Sequence, residues 1–326
     1  MDLNSLQYFY EVSKDLHITN TARRLYISQQ RLSGHIQRLE KYYGVKLIER
    51  DPKPHLTRAG HFLAKYAEQI LHLERELQSH FLDVSHENQG VLRLGISSMR
   101  ALVCIPEIMT IFQKSYPAVR FMLINGMTAQ FYEKLMADEI DLFVGLGSPP
   151  YDGLSIVPLM SEQLYMMVSD QILSEVFKED LTSLKVRLSQ GVRLKDFYTQ
   201  PFILPAVGNN VRRLLDNIFL REGIYPQIVC ESLSFQLMAR LSQLGVGIAF
   251  LPQILIKELF DLKSFCSNRQ INLFPLDYAE ARHQIFLASR VQHYTPRYIS
   301  CFYDAAVKVF STYEKLPDLL NSQSNF

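Results

Sequence analysis

The amino-acid sequence predicts a multidomain chain with a small all-α head, a long helix and a larger α/β part. Three observations carry this prediction. The 326 residues exceed the length at which a single hydrophobic core usually stops growing. Basic residues concentrate near the start, and after Gly90 the apolar periodicity changes from helical spacing to alternating strands and helices. We predict a head over 1–58, a long helix over 59–88, an α/β domain over 89–313 and a tail over 314–326.

The net charge of +1 conceals an uneven distribution along the chain. Between Thr19 and Arg58, nine lysines and arginines face three acidic residues, and His35 and His55 lie in the same segment. The rest of the chain is mildly acidic. A local basic segment is typical of phosphate binding, although a solvated helix face would have the same composition.

The first sixty residues have the pattern of three helices. Apolar residues recur at helical spacing over 2–14 and predict a first helix. Thr19 is predicted to cap a second helix. Ser28 is predicted to cap a third helix, Gln29–Tyr43, and Gly44 is predicted to end it.

Two helices separated by a three-residue turn form a helix-turn-helix candidate, whose second helix would enter the major groove of DNA. A plain three-helix bundle is the alternative interpretation. Two short strands around Asp51-Pro52-Lys53 predict a small wing, which would place Lys53 against the sugar–phosphate backbone. Thr57 is predicted to cap the long helix that follows.

The long helix carries apolar residues at heptad spacing. An isolated long helix has no other surface on which to bury such a stripe, so the pattern predicts dimerisation through this helix. The predicted seam consists of Leu63, Ile70, Leu77 and Val84, and Tyr66 and Leu73 follow the first two of these by three residues.

Short motifs are distributed over the whole head with regular spacing. They include Leu6-Gln7-Tyr8-Phe9, Ala22-Arg23-Arg24-Leu25, Ile27-Ser28-Gln29 and Leu56-Thr57-Arg58-Ala59-Gly60. In these motifs the chain resembles the LysR-type transcriptional regulators. It departs from the usual family pattern at Gln30, Arg31, Gly34 and Ile48, so no operator preference is carried over from the family.

Side-chain chemistry and this resemblance together predict the DNA-binding residues. Glutamine and arginine form bidentate hydrogen bonds to base edges, whereas basic and hydroxyl side chains contact phosphates. The residues expected to read bases are Gln29, Gln30, Arg31 and Ser33. Those expected to contact phosphates are Arg38, Arg50, Lys53 and Thr57, and Thr19, Ser28 and His35 complete the predicted set.

Nine predicted strands alternate with helices after Gly90, which favours doubly wound α/β lobes. Segments such as Leu92-Arg93-Leu94-Gly95-Ile96 and Gly245-Val246-Gly247-Ile248 resemble the effector-binding domain of the same family, which is similar to type 2 periplasmic binding proteins. The resemblance implies a lobe I over 91–162 and 269–310 and a lobe II over 163–268. The polar segment 174–193 is predicted to form an extra surface excursion.

Ligands of such folds bind between the lobes, at strand C-termini and helix N-termini. Two serines after the first strand offer hydroxyl and backbone N–H groups that suit an anion, which makes a carboxylate effector the expectation. Serines at such positions also simply cap helices, and Arg100 could equally point to solvent. The predicted effector-binding residues are Ser97, Ser98, Arg100, Thr128, Ala206, Val207, Gly247 and Ile248.

Enzyme motifs are weak in this sequence. Gly145-Leu146-Gly147 and Gly245-Val246-Gly247 each lack the third glycine of a dinucleotide loop. The histidines show no metal-ligand spacing, and the four cysteines are too far apart for a redox or zinc pair. A disulfide between Cys230 and Cys266 remains open. We therefore expect no catalysis, no metal and no resident cofactor.

The N-terminus lacks the pattern of a signal peptide, and no apolar segment approaches the ~20 residues that cross a bilayer. We expect a cytoplasmic, nucleoid-associated regulator without membrane contact. Its expected partners are double-stranded promoter DNA, a small-molecule effector and further copies of itself, as a dimer or a tetramer of two dimers. RNA polymerase is a further expected partner.

Overall fold

The computed structural model describes residues 2–49, 53–84, 89–147, 153–257, 271–291 and 295–315. The chain forms two compact units, a helical head and an α/β domain, and the chain passes from the first to the second between Gly90 and Val91. The two-part architecture that the sequence predicts is confirmed. No helix among the described residues combines the length and the apolar character needed to cross a membrane.

The head contains helices, a two-stranded wing and a long final helix. In chain order these elements are α1 (Leu3–Asp15), α2 (Ile18–Arg24), α3 (Gln29–Tyr43), β1 (Ile48–Glu49), β2 (His55–Leu56) and α4 (Arg58–Val84). β1 and β2 pair antiparallel. The head has its own core, in which apolar side chains of α1 and α3 are buried, including Leu6, Phe9, Leu32, Ile36 and Leu39.

Capping explains the bounds of α3, which match the prediction. Ser28 Oγ accepts a hydrogen bond from the backbone N–H of Arg31 at 3.2 Å, and Gly44 adopts a left-handed conformation with φ of 69°. The predicted cap of α2 is wrong. That helix begins at Ile18, where His17 Nδ1 accepts the N–H of Asn20, so Thr19 lies inside the first turn.

The α/β domain alternates strands and helices along most of its length. Its elements are β3 (Gln89–Gly95), α5 (Ser98–Phe112), β4 (Ala118–Ile124), α6 (Thr128–Met136), β5 (Leu142–Leu146), β6 (Leu154–Ser169), α7 (Asp170–Val176), α8 (Leu181–Leu188), β7 (Pro201–Pro205), α9 (Asn210–Glu222), β8 (Gln227–Ser232), α10 (Phe235–Gln243), β9 (Ile248–Pro252), β10 (Ile271–Pro275), β11 (Arg282–Arg290) and α11 (Arg297–Glu314).

One long strand, β6, joins the two lobes. The strands lie in the order β4-β3-β5-β11-β6-β9-β7-β8, and β10 also pairs with β6. From Leu154 to Gln163, β6 pairs with β11 of lobe I. From Leu164 onward it pairs with β9 and β10. The sequence predicted only the second half of this strand, so the strand that connects the lobes is longer than expected.

Two predictions about the α/β domain are wrong, one about a lobe boundary and one about a surface segment. β10 was expected in lobe I, but it pairs with the lobe II half of β6, with Ile271 opposite Ser169. The return to lobe I therefore falls between Pro275 and Arg282. The segment 174–193 is not a surface excursion, because it contains α8, whose Leu184 and Leu188 are buried in the main core.

Other predictions fall partly outside the described residues. The described part of α4 ends at Val84, and 85–88 are not described, so the predicted end of that helix stays a prediction. The predicted tail is described only as far as Lys315. Cys104, Cys230 and Cys301 form no disulfide, and Cys266 lies outside the described residues.

Candidate DNA-binding surface and effector cavity

The first turn of α3 presents three of the predicted base-reading side chains to solvent. Gln29, Gln30 and Arg31 are exposed, and Ser33 is half-buried. Thr19, on α2, donates a hydrogen bond from Oγ1 to Gln29 Oε1 at 3.2 Å. The shorter helix therefore orients one of the side chains expected to read DNA.

The predicted phosphate contacts have different environments. Arg38 and Lys53 are exposed, and Arg50 lies outside the described residues. The Thr57 hydroxyl donates to the carbonyl oxygen of Lys46 at 2.7 Å and accepts the N–H of Gly60 at 3.0 Å. That hydroxyl therefore caps α4 and links the start of this helix to the segment that precedes β1. The Ser28 hydroxyl caps α3 in a similar way.

His35 is buried, with 8% of its surface exposed, so the predicted direct contact with DNA is wrong. It lies on the inner face of α3, one turn from Leu32 and Leu39. Its Nδ1 is 2.8 Å from Ser5 Oγ and 2.7 Å from Arg38 Nη2. Burial and the charge of Arg38 lower the pKa of His35. The imidazole is thus a core group that touches an exposed arginine.

The predicted seam of α4 is only partly at the surface. Leu63 is buried in the head core and Ile70 packs against the same core. Leu77 is about half exposed, and nothing is described of the Val84 side chain. Among the side chains of α4 that the structure describes, the exposed large apolar ones are Phe62, Tyr66, Leu73, Leu77 and Phe81. Leu77 thus belongs to both the predicted seam and the exposed stripe, whereas Leu63 and Ile70 face the head core instead.

A cavity of about 510 Å³ lies between the lobes of the α/β domain. Five of the eight predicted effector-binding residues line it, and these are Ser97, Ser98, Arg100, Thr128 and Val207. Lobe II closes the opposite side through residues that the sequence analysis missed, including Asn209, Asn210, Leu233 and Phe235. Asn125, in lobe I, was missed as well, although a polar residue directly after a strand is a usable signal.

Several polar groups around the cavity are already occupied. The backbone N–H of Ser98 donates to Asn125 Oδ1 at 2.9 Å, so it is not available as the sequence analysis expected. Thr128 Oγ1 accepts the N–H of Leu146 at 3.2 Å. Among the described residues, Ser97 Oγ and Arg100 Nε are both buried and have no hydrogen-bond partner.

Arg100 is anchored from behind by a buried carboxylate. Its Nη2 lies 2.5 Å from Glu162 Oε2, and Glu162 is completely buried on β6. His283 Nε2, on β11, lies 3.1 Å from the same oxygen. Burial alone would raise the pKa of Glu162, but the charges and hydrogen bonds of Arg100 and His283 outweigh burial and hold that pKa below its usual range.

The remaining three predicted effector-binding residues do not line the cavity. Ile248 is fully buried in the core. At Gly247 a side chain would lie 2.6 Å from the carbonyl oxygen of Pro201, so this glycine allows β9 to approach β7. Ala206 donates its N–H to the carbonyl oxygen of Ser232 at the end of the neighbouring strand.

A basic winged head joined to a two-lobed domain with an interlobe cavity defines the class of ligand-responsive DNA-binding regulators. Residues 3–61 match the family model described as bacterial regulatory helix-turn-helix protein, lysR family. Residues 85–311 match the LysR substrate binding domain. The chain belongs to the LysR family of transcriptional regulators, and it combines a DNA-binding head with an effector-binding domain.

Individual relatives show the same organisation. The HTH-type transcriptional activator IlvY of Salmonella typhimurium is 31% identical over 261 residues, covering 79% of this chain and 84% of the relative. The crystal structure of full-length BenM is 25% identical with a TM-score of 0.51, covering 96% and 97% of the two chains. A full-length OxyR variant from Pseudomonas aeruginosa has the same fold, with a TM-score of 0.63, 18% identity and 94% coverage of each chain.

Proposed function

We propose that this regulator responds to a small anionic effector, most simply a carboxylate, held in the interlobe cavity. The observation that carries the proposal is the pair of buried, unpartnered donors Ser97 Oγ and Arg100 Nε, on residues that both line that cavity. A buried donor without an acceptor costs about 1–3 kcal/mol. A carboxylate that accepts both hydrogen bonds would recover this cost.

Arg100 is suited to this role because Glu162 holds it in place. The Nη2–Oε2 contact fixes the position of the guanidinium, and its Nε remains a donor without a partner among the described residues. Asn209, the N-cap of α9, and Asn210 line the opposite side of the cavity. An effector that touches both walls would stabilise one arrangement of the lobes over others.

Thermal unfolding of the full-length protein tests the proposal with malonate, benzoate, citrate and inorganic phosphate as probes. We expect at least one carboxylate to raise the Tm of the wild type, and Ser97→Ala to remove most of that increase. Ser189→Ala is the matched control, because Ser189 is half-buried like Ser97 but does not line the cavity, and its hydroxyl donates to the Val186 carbonyl oxygen. Equal stabilisation of wild type and Ser97→Ala would place the effector elsewhere.

For the head, we propose that α3 reads operator bases with Gln29, Gln30 and Arg31, while Arg38, Arg50 and Lys53 contact phosphates. The exposure of the first turn of α3 supports this assignment. We further propose that the exposed apolar stripe of α4 pairs two copies, that two dimers form a tetramer on DNA, and that the assembly acts on RNA polymerase in the cytoplasm, at the nucleoid.

A further inference from the structure

Four polar side chains connect α1 to α3 in the head, and one of them is Arg38, which is proposed to contact DNA. Asp2 caps α1 and accepts the Ser5 N–H at 2.7 Å. Ser5 Oγ lies 2.8 Å from Asp2 Oδ2 and 2.8 Å from His35 Nδ1. Arg38 Nη2 lies 2.7 Å from the same Nδ1. The chain of contacts thus runs from a carboxylate through a buried imidazole to an exposed arginine.

The protons of these four side chains cannot form all of these hydrogen bonds at the same time. A guanidinium can only donate hydrogen bonds, so the contact from Arg38 requires Nδ1 of His35 to carry no proton. Ser5 Oγ has a single proton, and it can be directed either to Nδ1 or to Asp2 Oδ2. The contact from Arg38 therefore corresponds to an imidazole that accepts at Nδ1, whereas the contact with Ser5 Oγ fits either protonation state of Nδ1.

A proton on Nδ1 would reverse the pattern. His35 would then donate to Ser5 Oγ, and Ser5 would donate to the carboxylate of Asp2, which completes a relay of compatible hydrogen bonds. Arg38 would lose its acceptor and face a second positive charge. Two arrangements of the same four side chains thus differ by one proton and by the position of Arg38.

We propose that His35 is a positioning residue, which in its neutral form holds Arg38 for contact with DNA and which releases Arg38 on protonation at Nδ1. This inference rests on the proposed role of α3 in DNA binding. Holding an arginine in advance removes part of the ordering cost of binding. Operator affinity should therefore fall as the pH decreases.

The other groups around His35 determine the pH range in which its imidazole becomes protonated. Tyr8, on α1, packs its ring edge against the imidazole with centroids 4.6 Å apart. Burial and the positive charges of Arg38 and Arg31 lower the pKa of His35, whereas the charge of Asp2 raises it. Since the lowering effects dominate, the neutral form prevails at neutral pH and the transition falls on the acid side of an ordinary histidine.

The first experiment detects whether Nδ1 of His35 carries a proton in the protein without DNA. Nitrogen-15 NMR of histidine-labelled full-length protein between pH 5 and 8 distinguishes a bare from a protonated Nδ1, and the His35→Gln variant identifies the signal. We expect a bare Nδ1 at pH 7.5 and protonation on acidification. A Nδ1 that is already protonated at pH 7.5 would overturn the inference, whatever the protein does with DNA.

The second experiment measures binding to duplex DNA from upstream of the protein's own coding sequence. We expect the wild type to lose roughly three- to tenfold in affinity, relative to His35→Gln, between pH 7.5 and pH 5.5. Glutamine can accept from Arg38 but does not titrate, so the comparison cancels the other eight histidines. His61→Gln, at an exposed position of α4, is the matched control and should titrate like the wild type.

Ser5→Ala provides an independent variant that leaves both His35 and Arg38 in place. It removes the hydroxyl that would accept a hydrogen bond from the protonated Nδ1 of His35. Protonation of His35 then requires a lower pH, so the pH at which DNA affinity falls should also be lower. Parallel pH profiles for wild type, His35→Gln and Ser5→Ala would exclude a positioning role for His35. If no variant or pH affects binding because the head does not bind this DNA, the proposed function of α3 fails, and the NMR result still decides the proton switch.

Discussion

Glu162 and Arg100 form a buried ion pair that links the strand common to both lobes with the first helix of the effector cavity. The carboxylate of Glu162 is completely buried, and Arg100 Nη2 lies 2.5 Å from its Oε2. Glu162 Oε1 is buried without a hydrogen-bond partner among the described residues. Because the ion pair has few hydrogen-bond partners, a change to either residue should affect both the stability of the α/β domain and effector binding.

Glu162→Gln should destabilise the α/β domain by about 3 kcal/mol, because removal of one charge leaves the guanidinium of Arg100 buried and uncompensated. Urea unfolding at pH 7 measures this difference. Glu175→Gln, at an exposed position, is the control and should change the free energy of unfolding by less than about 0.5 kcal/mol. An equally small effect of Glu162→Gln would show that the pair contributes little.

The contribution of Glu162 should also depend on pH. Its folded-state pKa is held below the usual glutamate value, so the stabilisation is fully present above about pH 4.3 and is lost as the pH falls through the folded-state pKa. The difference in unfolding free energy between wild type and Glu162→Gln should therefore shrink on acidification. A constant difference from pH 7 to pH 3.5 would contradict the assignment.

Two glycines of the head should respond in opposite directions to alanine. At Gly34, inside α3, an added Cβ has no neighbour within 4 Å, so Gly34→Ala should stabilise the head by about 1 kcal/mol. At Gly60 the added Cβ would overlap the carbonyl oxygen of Leu47, so Gly60→Ala should destabilise it by about 1–3 kcal/mol. Thermal unfolding of both full-length variants measures the two signs, and each variant serves as the control of the other.

Gln29 and Lys53 should differ in how their loss affects DNA binding. Gln29→Ala should reduce the preference for upstream duplex over a scrambled duplex by about 1–3 kcal/mol, because a base contact is lost. Lys53→Ala should weaken both complexes alike and lower the slope of log affinity against log salt by about 1. Fluorescence anisotropy from 50 to 300 mM salt separates the two effects. Unchanged discrimination in Gln29→Ala would assign base reading to other residues.

The exposed stripe of α4 should control association. Leu73 and Leu77 lie on the same face of the helix as Phe62 and Tyr66, and all four side chains are about half exposed. Leu73→Glu and Leu77→Glu should each raise the dimer dissociation constant roughly tenfold or more, because a charge would enter an apolar contact. Analytical ultracentrifugation measures this change. Gln78→Glu adds the same charge on another face, so a similar loss in that variant would exclude a specific seam.

Local patterns in the sequence determined the elements of the head. The bounds of α3 follow from a serine cap, a glycine end and an apolar stripe, all of which act within a few residues of each other. The motifs that mark the family also lie within single helices and turns. For the same reason, the alternation of strands and helices predicted the class of the second domain, and it led to Ser97, Arg100 and Thr128, which line the interlobe cavity.

Tertiary structure decided which side chains face solvent and which face each other. Heptad spacing cannot tell the stripe of α4 that covers its own head from the stripe that remains exposed, because both lie on adjacent faces of one helix. Likewise, the pairing of Glu162 with Arg100 and of His35 with Ser5 joins residues 62 and 30 positions apart. Such contacts depend on how elements pack, and no local pattern encodes them.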